Sequence, residues 1–297
     1  MKKLVKKFSN LITDIIFTVK NKTNNYTKKI VKYFNNLITD IIFKDKNKTN
    51  NNFKISNFNK SVITFITLLF FYLFYLSIPA LYNKGWVQNN IENLLLREFK
   101  INFSTSSDIS YRILPKPHFL LKDSKIFKLG DKKIELASDI KTLKVFINQG
   151  NFFDKDKISI KEVKIDNANI SLLKGDFKTL KQFSNKRFSN KKIKINDSNI
   201  FFKNNLNEVI SIIKISNAFL FFDEKNLFNL FDLKGEIFNI PFEFNYQNII
   251  NSQKKIRIKA PDLQLEVIND FFKKDEDLGG GINNISILSS SINTKYN

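Results

Sequence analysis

One uncharged apolar stretch constrains this chain more than any other feature. It runs from Val62 to Tyr82 as VITFITLLFFYLFYLSIPALY and contains no charged residue. A helix of this length, at about 1.5 Å per residue, extends about 31 Å and matches a bilayer hydrocarbon core of about 30 Å. Tyr72, Tyr75 and Trp86 lie in or just after its second half, where an interfacial aromatic belt is expected. We therefore predict a transmembrane helix over residues 61–82.

A cleaved signal peptide is the alternative interpretation of this stretch. The apolar part of a signal peptide is usually about 7–15 residues long and follows a short basic leader. Here the stretch begins at Val62, and Ser77-Ile78-Pro79 is a poor cleavage site because small residues are needed there. The pattern favours an uncleaved membrane anchor.

The basic residues predict the orientation of this anchor. Residues 1–60 contain 14 lysines and 3 aspartates, a net charge of +11, whereas Lys84 and Arg97 are the only cations between residues 83 and 97. Because lysine and arginine accumulate on the cytoplasmic side of a span, residues 1–60 are predicted to be cytoplasmic. Residues 83–297 are then predicted to lie across the membrane.

The first sixty residues contain a duplication. Lys2–Asn25 and Lys28–Asn51 align at an offset of 26 residues, with 19 of 24 positions identical. Apolar residues recur at helical spacing within each copy, and a basic amphipathic helix of this kind is typical of a segment lying on an anionic leaflet. The lysines predicted to contact a phospholipid membrane are Lys2, Lys3, Lys6, Lys7, Lys28, Lys29 and Lys32. A duplicated linker without a separate role is the alternative, and nucleic acid is not an expected partner because the tail lacks arginines and a recognisable binding fold.

Composition excludes several kinds of catalytic and metal site. The chain has no cysteine and one histidine, so thiolate nucleophiles, zinc fingers and histidine-rich metal sites are excluded. Nucleophile elbows, phosphate-binding glycine loops and zinc-protease motifs are absent from the sequence. His118 follows two prolines and is expected at the surface or at a strand edge. We predict a protein without catalytic activity, metal or cofactor.

The far side of the span is predicted to be mainly β. After a short helix at Ile91–Phe99, the apolar period changes from 3.6 to 2. Gly175–Phe183 is the best further helix, and Asp166-Asn167 and Asn196-Asp197 are typical of turns. The predicted strands, before one more in the C-terminal stretch, are Asp108–Leu114, His118–Lys122, Lys133–Leu136, Asp139–Ile147, Ile158–Ile165, Asn169–Leu173, Ile193–Ile195, Ile200–Phe202, Val209–Ile215, Phe219–Phe222, Glu236–Tyr246, Ile256–Ala260 and Leu263–Ile268.

The order of these elements resembles that of a known protein family. A lysine-flanked span is followed by an amphipathic helix, by Pro117–Asp123 (PHFLLKD), by Ile158–Leu172 with its paired-strand pattern, and by Gly175-Asp176-Phe177 at a turn. Over roughly residues 62–250 this arrangement resembles the N-terminal region of the AsmA family of Gram-negative bacteria. The resemblance implies an inner-membrane anchor, a periplasmic β-rich body and a role in outer-membrane biogenesis, and larger relatives resemble bridge-like lipid carriers.

These observations together predict a fold and a function. The fold class is mainly β: one N-terminal transmembrane helix is followed by a curled, mostly antiparallel, groove-like sheet over residues 83–297, with few short helices. The predicted function is non-catalytic lipid handling for outer-membrane biogenesis, with acyl chains held along the apolar face of the sheet. A closed sandwich core, or a β domain that binds a periplasmic protein without lipid, is the alternative. The candidate groove residues are Ile158, Ile160, Ile170, Leu172, Ile200, Phe202, Phe238, Ile240, Phe242 and Phe244.

Overall fold

The computed structural model describes residues 57–106, 108–129, 134–173, 175–176, 185–250, 252–273 and 281–289. The chain divides into two units, Met1–Leu73 and Phe74–Asn297. The duplicated segment, with its seven predicted membrane-contacting lysines, lies outside the described residues. So does most of the helix predicted at Gly175–Phe183.

The predicted apolar helix is present. Helix α1 covers Asn57–Ser77 and is followed by a 3-10 turn at Ile78–Leu81, where Pro79 removes a backbone donor. The segment Ser61–Leu81 has a mean hydropathy of 2.1 and is long and apolar enough to cross a membrane. Phe65, for example, is 66% exposed. The Thr67 hydroxyl donates to the Ile63 carbonyl oxygen at 2.8 Å, so its polar group is satisfied within the helix.

Helix α2 covers Lys84–Phe99 and is longer than the predicted Ile91–Phe99. It begins at Asn83, whose side-chain oxygen accepts hydrogen bonds from the backbone N–H groups of Gly85 and Trp86. It ends at Lys100, which has a left-handed backbone. One side of α2 is buried and consists of Val87, Ile91, Leu94, Leu95 and Phe99.

Among the described residues, all twelve strands belong to one sheet, and two short 3-10 turns, Lys155–Lys157 and Pro261–Leu263, lie between strands. Every neighbouring pair is antiparallel except β5 and β6, which are parallel. The sheet order is β1-β3-β4-β5-β6-β7-β8-β9-β10-β11-β12, with β2 also paired to β3. The strands are β1 (Asn102–Ser104), β2 (Ile109–Arg112), β3 (His118–Leu129), β4 (Ile134–Ile147), β5 (Ile160–Leu173), β6 (Lys192–Lys203), β7 (Val209–Asp223), β8 (Phe228–Ile237), β9 (Ile240–Ile249), β10 (Gln253–Ala260), β11 (Leu265–Lys273) and β12 (Gly281–Ser289).

Several predicted turns are irregularities inside long strands. Asn167 and Asp197 have positive φ angles of 58° and 46°, yet β5 and β6 continue past them. Asp123 does the same in β3, with a φ of 50°. Asparagine and aspartate tolerate left-handed backbone, which explains why these positions look like turns in the sequence. The predictions of separate strands on either side of Asp166-Asn167 and of Asn196-Asp197 were therefore wrong.

The single strand predicted at Glu236–Tyr246 is two strands joined by a tight turn. Strand β8 ends at Ile237, β9 begins at Ile240, and these two residues are paired. Phe238 and Asn239 connect them with φ angles of 52° and 62°, as a type I′ hairpin turn requires. The alternating pattern misled the prediction, because Phe238 continues the apolar period although it occupies a turn.

The fold is mainly β, as predicted. The sheet, which was predicted to be curled, is not strongly curled. Instead of curling, the first half of the sheet is covered by a second layer. Buried residues of α2 form one apolar cluster with β1 to β6, and this cluster includes Leu121, Leu143 and Ile165. Over this first half, α2 buries the apolar side chains of the sheet, so the sheet does not need to curl to cover them.

Candidate apolar ligand-binding face

A continuous apolar row crosses one face of the sheet. Residues paired directly across neighbouring strands share a face, so the register traces the row from strand to strand. Its members, from β3 to β12, are Leu121, Leu143, Ile165, Ile195, Ala218, Leu233, Phe244, Ile258, Val267 and Ile287. We call this set the apolar row, and the sheet face that carries it the inner face. At about 4.8 Å per strand, the row extends about 43 Å.

A second row of apolar partners runs beside it near the β8–β9 turn. Ile170 of β5 pairs with Ile200, Ile200 with Ile213, and Ile213 with Ile237, which pairs with Ile240. The inner face is therefore apolar over more than one side chain along each strand. An elongated apolar ligand would find both length and width on this face.

Only the first half of the inner face is covered by a helix. A second apolar cluster lies beyond it, with Ile215, Ala218 and Leu233 as its buried residues. The partly buried side chains packed against this cluster all come from strands, and none comes from a helix among the described residues. Further along the row, Ile258 is 39% exposed and Ile287 is 67% exposed. The inner face of β7 to β12 is thus apolar along the row and is covered by no described helix there. At one end of these strands, segment 185–191 lies against this face and is hydrogen-bonded to Asn229 of β8 and Lys254 of β10.

The opposite face, which we call the outer face, carries cross-strand ion pairs over the same strands, with Phe219, Phe221 and Leu230 beside them on β7 and β8. Cross-strand ion pairs join Lys214 to Glu236 at 3.1 Å and Lys234 to Glu243 at 2.6 Å, and further pairs join Arg257 to Glu266 and Lys255 to Asp270. The hydrogen bond from Lys234 lowers the pKa of the Glu243 carboxyl. The lysine and arginine side chains of these pairs are exposed, so the pairs contribute little stability, and they keep this part of the outer face in contact with water. The inner face carries the continuous apolar row and is therefore the candidate surface for an apolar ligand.

A polar ladder reinforces the outer face where the strands are irregular. Asp166 accepts hydrogen bonds from Lys144 and Asn196, both at 2.8 Å, and Asn196 in turn accepts one from Asn217. Burial raises the pKa of Asp166, but the hydrogen bonds from Lys144 and Asn196 outweigh it, so the net pKa lies below the ordinary value. Every group in this ladder is partnered across strands, which indicates a structural role.

The predicted groove residues fall into three places. Ile158 and Ile160 belong to the cluster that α2 closes. Phe238 lies in the hairpin turn and is 74% exposed, so its assignment to the same face as Ile240 was wrong. The remaining seven share the inner face through their registers: Ile170, Leu172, Ile200, Phe202, Ile240, Phe242 and Phe244.

Sequence reasoning missed the apolar side chains contributed by β8 and by the last strands. Leu233 in β8, Ile258 in β10, Val267 in β11 and Ile287 in β12 all belong to the apolar row. The stretch QKKIRIKA, where Ile256 and Ile258 alternate with cations, carried the signal. That alternation predicts one apolar and one charged face, as the structure has it.

His118 is a structural residue at the first position of β3. Its side chain is 2% exposed, its Nδ1 lies 2.7 Å from the Lys116 carbonyl oxygen, and its ring packs on Phe146. Burial lowers its pKa. It was expected at the surface or at a strand edge; it lies in a strand and is buried. Among the described residues, no group of three or more histidine, aspartate or glutamate side chains could hold a metal ion.

Comparison of the sequence with models of protein families finds no matching family, and comparison with curated proteins finds no similar sequence. The functional interpretation therefore depends on the geometry of the inner face.

Proposed function

We propose that this chain is a membrane-anchored, non-catalytic lipid-handling protein of the cell envelope, whose inner face holds acyl chains. Ser61–Leu81 would be the anchor, and the lysine excess before it supports a cytoplasmic location for residues 1–60 and a periplasmic location for the sheet. The resemblance to the AsmA family supports the same assignment and adds a role in outer-membrane biogenesis. Its partners are the phospholipid membrane and a lipid ligand.

One observation carries this proposal: the apolar row continues past α2 onto strands whose inner face no described helix covers. Ala218 and Leu233 in this part of the row are buried, but Ile258 and Ile287 further along are exposed. Exposed apolar surface is costly in water, and a continuous stretch of it marks a binding surface. A flat strip of branched and aromatic side chains matches the shape and chemistry of an acyl chain.

Photo-crosslinking in cells tests this proposal directly. A photoreactive phenylalanine analogue replaces Phe244 on the inner face, and the matched control places it at Phe272 on the outer face. We expect lipid adducts, identified by mass spectrometry, at position 244 and not at position 272. Equal lipid adducts at both positions, or none at 244, would contradict lipid binding on the inner face.

An aspartate substitution distinguishes between two hypotheses: that the inner face is open to a ligand, and that it is a closed core. Phe242 packs beside the second cluster, and Phe242→Asp is expected to abolish lipid adducts at position 244 while the protein stays folded in a thermal melt. In a closed core, burying an unpaired carboxylate would cost several kcal/mol, a large part of a total stability of about 5–15 kcal/mol. Phe272→Asp is the matched control. Unfolding of Phe242→Asp alone would favour the closed core.

The alternative, a β domain that binds a protein partner without lipid, also has one observation in its favour. Strand β12 (GINNISILS) contains no charge and no proline, and among the described strands it pairs only with β11. Its Ile285 and Leu288 are exposed. An uncharged edge strand of this kind is a template for strand addition by another chain. Protein adducts in place of lipid adducts at position 244 would favour this alternative.

A further inference from the structure

A pocket with a cationic rim lies where α2 ends on the inner face. Its volume is about 510 Å³, within the range of small-molecule sites. Phe99, the last residue of α2, lines it together with Ile193 and Leu220 of the sheet. Its charged lining consists of Lys100, Lys186, Arg187 and Lys191, with Glu98 as the one carboxylate. We call this site the cationic pocket.

The cationic segment of this pocket is held in place by a buried amide. Asn229 is fully buried; its Oδ1 accepts a hydrogen bond from the Phe188 N–H at 2.8 Å, and its Nδ2 donates to the Lys186 carbonyl oxygen at 2.7 Å. The backbone N–H of Phe222 donates to the Ser189 carbonyl oxygen at 2.8 Å. Segment 185–191 is therefore tied to β7 and β8, which reduces the entropy that a ligand must overcome.

The charges of the pocket favour an anion. Four cationic side chains line it against one carboxylate, and Glu98 accepts a hydrogen bond from the Ser189 hydroxyl at 3.3 Å. The Arg187 guanidinium lies 3.9 Å from the centre of the Phe222 ring, which restricts its position. Lys186 and Lys191 form no ion pair among the described residues. Arg187 Nη2 also lies 3.9 Å from the Glu224 carboxylate. An anionic group with several oxygens, such as a phosphate, would still have the ammonium groups of Lys100, Lys186 and Lys191 as donors.

The floor of the pocket is continuous with the uncovered part of the inner face. Leu220 pairs with Phe231, Phe231 with Tyr246, and Tyr246 with Ile256. Measured across the strands from β7 to β12, this surface extends about 24 Å, at about 4.8 Å per strand. One leaflet of a bilayer core is about 15 Å thick, so the surface can hold an acyl chain lying across the strands. A free inorganic anion would make no use of this apolar extension.

We propose that the cationic pocket binds the anionic head group of a phospholipid whose acyl chain lies on the inner face of β7 to β12. This inference rests on the proposed lipid-handling function and adds a charge preference to it. It predicts that anionic phospholipids bind more tightly than zwitterionic ones with the same tails.

Titration of the full chain in a non-ionic detergent tests this preference. The probes are phosphatidylglycerol and phosphatidylcholine that carry the same fluorescent acyl chain. We expect the wild-type protein to bind phosphatidylglycerol at least tenfold more tightly. The variant Lys186→Gln, Arg187→Gln, Lys191→Gln should lose this preference and keep its affinity for phosphatidylcholine within about twofold, because the apolar floor is unchanged.

A matched variant controls for net charge. Lys234→Gln, Lys255→Gln, Lys259→Gln removes the same three charges from the outer face and should leave the preference intact. Thermal melts of both variants verify that they are folded. The single variant Arg187→Gln should show a smaller loss in the same direction, which keeps the test usable if the triple variant does not fold.

The outcomes distinguish this inference from the proposed function. Equal binding of both lipids by the wild type, or an unchanged preference in the pocket variant, would overturn the head-group site and leave acyl-chain binding standing. Binding of neither lipid would overturn the proposed function as well. Inorganic phosphate at millimolar concentration should not displace the labelled phosphatidylglycerol; displacement at that concentration would identify a free-phosphate site and overturn the lipid assignment.

Discussion

At Gly235, the close approach of two neighbouring strands leaves no room for a side chain. Gly235 of β8 pairs with Ile215 of β7, directly beside the register shift between Ile215 and Asn217. A Cβ atom added at Gly235 would lie 2.4 Å from the Lys214 carbonyl oxygen, which is backbone and cannot rotate away. Glycine at this position therefore allows β7 and β8 to pair closely at the irregularity.

Replacement of this glycine should weaken the fold. We expect Gly235→Ala to lower the free energy of unfolding by about 1–3 kcal/mol, because the strands must separate to admit the methyl group. Gly150→Ala is the matched control, since a Cβ there meets no atom within 4 Å, and its effect should stay within about 0.5 kcal/mol. The measurement is denaturant unfolding followed by circular dichroism. Equal stability of the two variants would contradict the close approach.

His118 should make stability depend on pH near neutrality. Its pKa is lowered by burial, so below the ordinary value of 6.5 the unfolded chain takes up a proton that the folded chain resists. Stability is therefore fully present above pH 6.5 and decreases as the pH falls below it. We expect a lower melting temperature at pH 5.5 than at pH 7.5, and a smaller difference in His118→Gln. An identical difference in wild type and variant would assign the effect to other groups.

Elements differ in how completely they are packed. Helix α2 closes the inner face over the first strands, whereas β12 has a strand on one side only among the described strands. Natural sheet edges are usually protected by lysine, proline or a bulge. The uncharged sequence of β12 has neither lysine nor proline. Among the described strands, β12 is therefore the one that another chain could pair with most easily.

Lysine side chains added to the edge strand β12 should prevent self-association of the protein. We expect the full chain in detergent to associate as its concentration rises, and Asn284→Lys with Ser286→Lys to keep it monomeric, because like charges then face each other across the paired edges. Asn205→Lys with Ser252→Lys, in exposed turns, adds the same charge elsewhere and should leave association unchanged. Analytical ultracentrifugation measures the difference. Identical sedimentation of both double variants would exclude β12 as the contact.

The whole molecule combines a basic N-terminal segment, an apolar helix and an amphipathic sheet. The net charge of +11 before the helix determines the expected orientation, since residues 83–97 carry few cations. Acyl-chain binding in the periplasm requires the sheet to be on the far side of the membrane from residues 1–60. The proposed function and the proposed topology therefore depend on each other.

Reporter fusions test this topology. An enzyme that is active only outside the cytoplasm should work when fused after residue 150 and fail when fused at residue 55. A reporter that is fluorescent only in the cytoplasm should give the opposite pattern at the same two positions. The reverse of both patterns would place the sheet in the cytoplasm and contradict periplasmic lipid handling.

The sequence by itself determined the apolar helix and the mainly β class of the body, because both depend on local periodicity and length. A run without charges from Val62 to Tyr82 has few alternatives, and a period of two over many segments predicts strands wherever it occurs. Only the tertiary structure decided that Asn167 and Asp197 continue a strand and that Phe238 lies in a turn. A left-handed residue has the same local energy in a turn as in a bulge, and pairing with neighbouring strands selects between them.

The tertiary structure also decided how far the inner face is covered. Ile160 and Phe244 follow similar patterns of apolar alternation, yet Ile160 is sealed in the cluster that α2 closes and Phe244 lies beyond it. The length of α2 and the register of twelve strands determine this difference. Likewise, Lys186 and Arg187 line the same pocket as Phe99 and Leu220 only because the chain returns over β7 and β8. Such contacts join residues far apart in the chain, and no local pattern contains their geometry.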